Sequence, residues 1–329
     1  MAKNRTIGSL SVAPVGLGCM NTSFGYGPAD EQASSALLLE ALDSGIDFLD
    51  TAHMYGAGHN ETLIGNALAA HRKRFVLATK CGLSPAGING HPDTIRQQCE
   101  TSLQRLKTDV LDLYYLHRVD PEVPIEESVG AMAELISSGK VREIGLSEIS
   151  CDTLRRAHNV HPIAAVQSEY SLWSRTPEHG MLEVCRELGT TFVPFSPLGR
   201  GFLAGSSNDV SKLADNDLRA TIARPRFEPD AFKANQQLLV EFKAMAEACE
   251  CTMAQLALAW LLSIEHGTLV PIPGTRNRQH MLDNAAAADV VLDNDTVAAL
   301  NELINESTVV GTRYTLDRMA EADSERDVS

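Results

Sequence analysis

Four residues of complementary chemistry carry the strongest signal in this chain: Asp50, Tyr55, Lys80 and His117. They bring together a carboxylate, a phenol, an ammonium and an imidazole. Such a set suits the reduction of a carbonyl group. Hydride attack on a carbonyl carbon builds negative charge on the oxygen, and a proton donor placed there lowers the barrier. A phenol alone is a weak acid, with a reference pKa of about 10. A neighbouring ammonium favours the phenolate and brings that value down. The ammonium must itself stay charged in a partly dry site, which an adjacent carboxylate secures. In this scheme Tyr55 is the acid, Lys80 and Asp50 tune it, and His117 orients the carbonyl oxygen.

Taken singly, each residue also has a plain structural use. Asp50 and Thr51 fit a cap or turn. Tyr55 could be a packed loop aromatic, Lys80 a strand-end charge that reaches solvent, and His117 a hydrogen-bonded structural histidine. A different chemistry is open as well: a barrel lyase with Lys80 as a Schiff base, which Asp50 and Tyr55 fit less well.

The elements that must position these groups come from the hydrophobic pattern. Short apolar runs at 15–20, 46–49, 75–79, 110–116, 141–146, 163–166, 191–195 and 269–272 are too short for helices and read as strands buried on both faces. Helical patterns lie between them. One opens at Asp30-Glu31 and stops near Gly45; another opens at Asn60-Glu61. A third runs over 94–107 behind Asp93, a fourth from Pro124 to the Gly139-Lys140 stop, and a fifth opens at Cys151-Asp152. Eight such units predict an α/β fold of the (β/α)8 TIM-barrel type. An open doubly wound sheet would announce its first turn with a glycine-rich fingerprint, and none follows the first run. In a barrel, the ends of strands two, three and four carry Asp50, Lys80 and His117 to one mouth, with Tyr55 on the loop after Asp50.

Three segments fall outside the eight units. Residues 3–12 read as an N-terminal hairpin around Gly8-Ser9 that covers the barrel bottom. Residues 199–230 form a long polar stretch after the seventh strand, of a length found in lids. Residues 307–329 form a polar tail expected to fray. No internal repeat or linker divides the chain, so a single domain over 1–329 is expected.

Composition narrows the partners. Net charge is −15 and the isoelectric point about 5.1, with basic residues interspersed among acidic ones, which argues against nucleic acid. No apolar run reaches the roughly 18 residues of a membrane span, and no leader-like segment opens the chain, so a cytoplasmic protein is expected. The seven cysteines are scattered and odd in number, unlike a disulfide framework. Cys249 and Cys251 lack a second ligand pair at metal spacing, so no metal is expected.

The segments Asp50-Thr51-Ala52-His53-Met54-Tyr55-Gly56, Ala78-Thr79-Lys80 and Asp112-Leu113-Tyr114-Tyr115-Leu116-His117-Arg118 resemble the signatures of the aldo-keto reductase family. The similarity runs over about residues 7–305 and is strongest to a bacterial and plant subgroup with auxin-induced-protein-like and pyridoxal-reductase-like members. It implies an oxidoreductase of the alcohol dehydrogenase type that reduces small aldehydes or ketones with NADPH, the proton coming from Tyr55. Some relatives act instead as slow, NADPH-binding redox-sensing subunits. The oligomeric state is left open.

The resemblance also implies a cofactor site without a dinucleotide-binding fingerprint. Ser147 and Gln167 would hold the nicotinamide carboxamide, with Met20 and Asp50 beside it and Phe195 stacked under the ring. Ser196, Pro197, Leu198, Gly199 and Arg200 match the pyrophosphate loop. Gly274, Thr275, Arg276 and Gln279 fall at the 2′-phosphate site at a helix start, and Asn284 at the adenine. This chain departs from the family at Glu148, where asparagine is common, so no nicotinamide contact is assigned to it, and it lacks the usual cations at 274 and 280, so Arg276 would stand in for them. Pocket walls would come from Phe24, Tyr26, Met54, Trp173 and the 202–230 lid, with Arg224 and Arg226 on the lid.

Overall fold

The computed structural model describes residues 4–206, 209–264 and 269–328. Strands β1 (Arg5–Ile7) and β2 (Leu10–Val12) form the expected antiparallel hairpin. The barrel strands are β3 (Leu17–Gly18), β4 (Phe48–Asp50), β5 (Val76–Cys81), β8 (Leu111–Leu116), β9 (Val141–Ser147), β10 (Ala165–Glu169) and β11 (Thr191–Phe195). A small hairpin, β6 (Leu83–Ser84) with β7 (Gly87–Ile88), follows β5 and was not foreseen. The seven barrel strands pair in parallel in the order β11-β10-β9-β8-β5-β4-β3.

The eighth strand of the barrel is the segment 269–273. Leu269 bridges to Phe192 in parallel, and Val270 and Ile272 donate backbone hydrogen bonds to Phe192 and Pro194 of β11. On its other side Pro271 and Pro273 accept from Gly16 and Gly18 beside β3. The ring of strands is thereby closed. Prolines at 271 and 273 shorten the regular ladder because they cannot donate. Gly18 is needed at this seam: a Cβ there would lie 2.8 Å from the Ile272 carbonyl oxygen.

Helices α1 (Glu31–Asp43), α2 (His59–Leu68), α3 (Pro92–Leu106), α4 (Ile125–Ser137), α5 (Cys151–Val160) and α6 (Met181–Leu188) alternate with the strands. Helix α3 begins earlier than the pattern suggests because Pro92 occupies the first turn, where its missing N–H costs nothing. Later come α7 (Arg224–Phe227), α8 (Pro229–Gln236), α9 (Leu238–Ala248), α10 (Met253–Ser263), α11 (Arg278–Ala286), α12 (Asn294–Leu303) and α13 (Leu316–Ala320). No helix among the described residues is long and apolar enough to cross a membrane.

Two cores result. One fills the space between strands and helices. The other lies inside the barrel, where Phe48, Ala78, Leu113, Tyr115, Ala165, Val193 and Val270 meet Ile7, Leu10 and Val12 of the hairpin. The hairpin plugs the end opposite the strand tips. Ser9 at its turn donates from both N–H and Oγ to Glu143 near the start of β9.

Two expectations change here. The stretch 199–230 is polar in composition, yet Phe202, Leu203 and Phe227 are buried and pin it down. Trp173 is their floor, stacked on Phe202 at 4.0 Å and edge-on to Phe227 at 5.5 Å. Trp173 therefore packs beneath the lid and does not line the mouth. The polar tail is likewise anchored over its described length. Arg313 enters the protein to meet Glu148, Asp323 accepts from the N–H and Oγ of Ser150, and Asp327 accepts from the N–H of Cys151. Its polar residues find buried partners, and that is why the tail does not fray.

Candidate active site

Strand register places the reactive groups. Asp50 pairs with Ala78, so Lys80 stands two residues farther toward the mouth on the neighbouring strand. Lys80 pairs with Tyr115, and His117 follows two residues later. The loop 51–58 then returns Tyr55 over them. Asn60, fully buried, ties that loop down: it accepts from Thr51 Oγ1 at 2.6 Å and donates to the Cys19 carbonyl at 2.8 Å. Glu61 does the same from below, accepting from Thr79 Oγ1 at 2.7 Å and Arg105 at 3.2 Å, while Arg105 also donates to the His53 carbonyl.

The four groups meet. Lys80 Nζ lies 2.5 Å from Asp50 Oδ1, 2.8 Å from the Thr51 carbonyl and 3.5 Å from Tyr55 Oη. The rings of Tyr55 and His117 meet edge-on at 5.8 Å. Burial pulls the Lys80 amine down, but the charges of Asp50 and Tyr55 outweigh it and hold the group above its ordinary value. Lys80 is thus an ammonium. Burial also pushes the Tyr55 phenol up, against the pull of Lys80 and Arg118. The net direction is opposite to the lowering expected from Lys80 alone, because desolvation of a phenolate outweighs one cation. His117 is driven well below its usual range by burial, with Arg118 and Lys80 adding to the effect. It is a neutral imidazole.

A cavity of about 1430 Å³ opens above these groups. Pockets for a single small ligand are roughly 300–1,000 Å³, so this space is larger than one such ligand needs. Asp50, Tyr55 and His117 line it, with Met20, Phe24, Tyr26 and Met54. Lys80 sits behind them, 1% exposed. Ser147 at the tip of β9 and Gln167 in the middle of β10 are direct register partners, and both face the cavity. Gln167 donates its amide to Asp50 Oδ2 at 2.8 Å. Phe195, Ser196, Pro197, Leu198 and Arg200 form the next wall, and Gly274, Thr275, Arg276 and Asn284 the far end. Asn284 is buried and its Oδ1 has no partner within the described residues.

Several expected contacts are used differently. Arg200 is buried in an ion pair with Glu169 at 2.8 Å, so its charge is already matched. Gly199 lies beneath the loop surface, against Trp173. Gln279 points away and donates to Asp283 at 2.9 Å. Arg276 lines the cavity but its guanidinium donates to the carbonyls of Tyr26, Gly27 and Pro28. It clamps the loop after β3 to the start of α11. Glu148, which stands where the family commonly has asparagine, is fully buried and bound by Arg313 and Ser324. On the lid, Arg224 pairs with Glu228, and Arg226 donates to Ser174 and lies over Trp173.

Other site residues went unremarked in the sequence. Arg118, Asp120, Arg219, Tyr314 and Arg318 all line the cavity. The signal for Arg118 was its place one residue past His117 at a strand tip; Asp120, Arg219 and Tyr314 arrive on loops and Arg318 on the short helix α13, segments whose paths are set only by packing.

Comparison with known proteins agrees with this architecture. A "Probable aldo-keto reductase 1" of Glycine max is 42% identical over 310 residues, covering 92% of this chain and 88% of that one. The solved glycerol dehydrogenase of Gluconobacter oxydans superposes with a TM-score of 0.83 at 27% identity, over 92% of this chain and 94% of that one. An aldo-keto reductase from Klebsiella pneumoniae, solved in complex with NADPH, gives 0.73 at 29% identity over 96% and 99%. The family profile described as Aldo/keto reductase family matches residues 14–305, and the chain belongs to that family.

Proposed function

We propose that this protein reduces aldehydes or ketones to alcohols, with NADPH as the electron donor and Tyr55 as the proton donor. The observation that carries the reading is the Asp50–Lys80–Tyr55 chain beside a neutral His117, all at the floor of one cavity. When bound, the nicotinamide supplies the hydride. Ser147 and Gln167 would hold its carboxamide, Phe195 its ring, the 196–200 loop its phosphates and Asn284 the adenine. The orphaned Asn284 oxygen fits an exocyclic amino donor.

The protein's own groups then handle the proton. Neutral His117 donates a hydrogen bond to the carbonyl oxygen and leaves the charge there to be met by Tyr55. The phenol gives its proton to that oxygen as the alcohol forms. Lys80 sits behind the phenol and stabilises the phenolate left behind, while Asp50 keeps Lys80 charged. A raised Tyr55 keeps the acid form populated at neutral pH, as reduction requires.

A protonated, buried Lys80 bound to three oxygens is a poor Schiff-base nucleophile, which speaks against lyase chemistry. The test is NADPH oxidation against a panel of aldehydes and ketones, with NADH in parallel. Turnover that disappears in Tyr55→Phe, with NADPH binding kept, supports the reading; a mutant retaining most of its activity overturns the assignment of the acid.

A further inference from the structure

Five arginines line the cavity, and four of them are already satisfied. Arg200 pairs with Glu169, Arg219 with Asp217, and Arg318 with Glu321. Arg276 is used up on three backbone carbonyls. The fifth is Arg118. Among the described residues no carboxylate stands within 4.0 Å of it, and its contacts both run through Nη1: the His117 carbonyl at 2.7 Å and Ser147 Oγ at 3.4 Å. Nε and Nη2 make no hydrogen bond among the described residues. The residue is half-buried beside the reaction centre, and its charge is felt at Tyr55 and His117.

Its charge also reaches Glu148, but that carboxylate is bonded by Arg313 and Ser324, so this half-buried cation has no direct ion-pair partner among the described residues. An unused guanidinium edge offers two parallel donors, the geometry that a carboxylate accepts in bidentate fashion. We infer that Arg118 is a substrate-anion subsite, and that the favoured substrates are oxo acids: carbonyl compounds with a carboxylate close to the reacting carbon. The inference rests on the carbonyl-reductase reading above. Asp120 and Glu122 also line the cavity, beyond Arg118. Asp120 is held by the N–H groups of Gly90 and Glu122, so its charge is fixed in place. Those two carboxylates disfavour an anion of higher charge or longer reach, such as a phosphate monoester. One negative charge near the carbonyl is what the wall accepts.

The experiment compares 2-, 3- and 4-carboxybenzaldehyde with their methyl esters, using NADPH and the full-length protein. The readout is the ratio of kcat/KM, acid over ester, from which a general loss of activity cancels. Wild type is expected to favour at least one acid by about 10- to 100-fold, the worth of a charge-assisted pair. Arg118→Met removes that preference, Arg118→Gln does so with an uncharged polar group left in place, and Arg118→Lys keeps part of it. A wild-type ratio at or below one, or a ratio unchanged in both Arg118→Met and Arg118→Gln, overturns the subsite and leaves carbonyl reduction standing. Failure of wild type to reduce any acid, ester or neutral aldehyde overturns carbonyl reduction and the subsite with it.

Discussion

Two buried ion pairs stand at the mouth of this barrel, and they are built to opposite ends. In the first, Lys80 meets Asp50 and still has a phenol 3.5 Å away that faces the cavity. In the second, the Glu148 carboxylate is saturated: it accepts from Arg313 at 3.0 and 2.5 Å, from the Glu169 N–H at 2.9 Å and from Ser324 at 2.7 Å. Arg313 also meets Glu325, and Glu169 binds Arg200. On the proposed reading, the first pair leaves a proton-bearing group unfinished for a ligand to complete. The second leaves nothing for a ligand and instead ties the tips of β9 and β10, the 196–200 loop and the C-terminal segment together. Glu148 has a positive φ of 54°, a conformation that this network holds in place. On that reading, reactivity would come from incomplete pairing and rigidity from complete pairing.

The sharpest way to break this contrast is at the open end of the first pair. Tyr55→Phe should lower kcat by about 10²–10⁴-fold, the worth of a positioned acid, with NADPH affinity measured by fluorescence little changed. Next come the cations. Lys80→Met and Arg313→Met each strand a buried carboxylate and should each cost about 3–5 kcal/mol in denaturant melts. Only Lys80→Met should also abolish turnover per folded molecule. If Arg313→Met left the melt unchanged yet abolished activity, the two pairs would not differ as described.

Acid sharpens the same comparison. Burial raises Glu148, but Arg313 overcomes this and holds it at about 2 against an ordinary 4.5. A depressed carboxylate contributes stability that is fully present above 4.5 and is lost as pH falls toward 2. Glu148→Gln should therefore flatten the fall of the denaturation midpoint across that window; an unchanged slope would show that the clamp does not titrate there. The smallest effect is expected at the far end of the cavity. Arg276→Ala should weaken NADPH by about tenfold more than NADH if the guanidinium leaves its carbonyls for a 2′-phosphate. Equal losses for both would reduce Arg276 to a loop clamp.

Asp50, Lys80 and His117 were legible because barrel strands end where their apolar runs end. A polar residue directly after such a run is delivered to the mouth without help from anything distant. The closing strand was legible for the same reason, although prolines thinned its ladder. Trp173 and Gln279 were misplaced because an aromatic or an amide in a loop carries no periodicity that says which way it faces. Burial of Phe202 and Phe227 took Trp173, and a local bond to Asp283 took Gln279.

The alternation of strands and helices, the class of barrel and the residue types gathered at its mouth are written in the order of the residues, since these follow from short-range periodicity and from chemistry that only certain side chains possess. Tertiary structure alone decided which charges are spent and which stay open. Arg313 lies 165 residues from Glu148, and Arg200 lies 31 from Glu169. Pairings over such distances depend on where whole segments pack, and no local pattern encodes them. The same packing left Arg118 as the cation on the cavity wall with an unused edge.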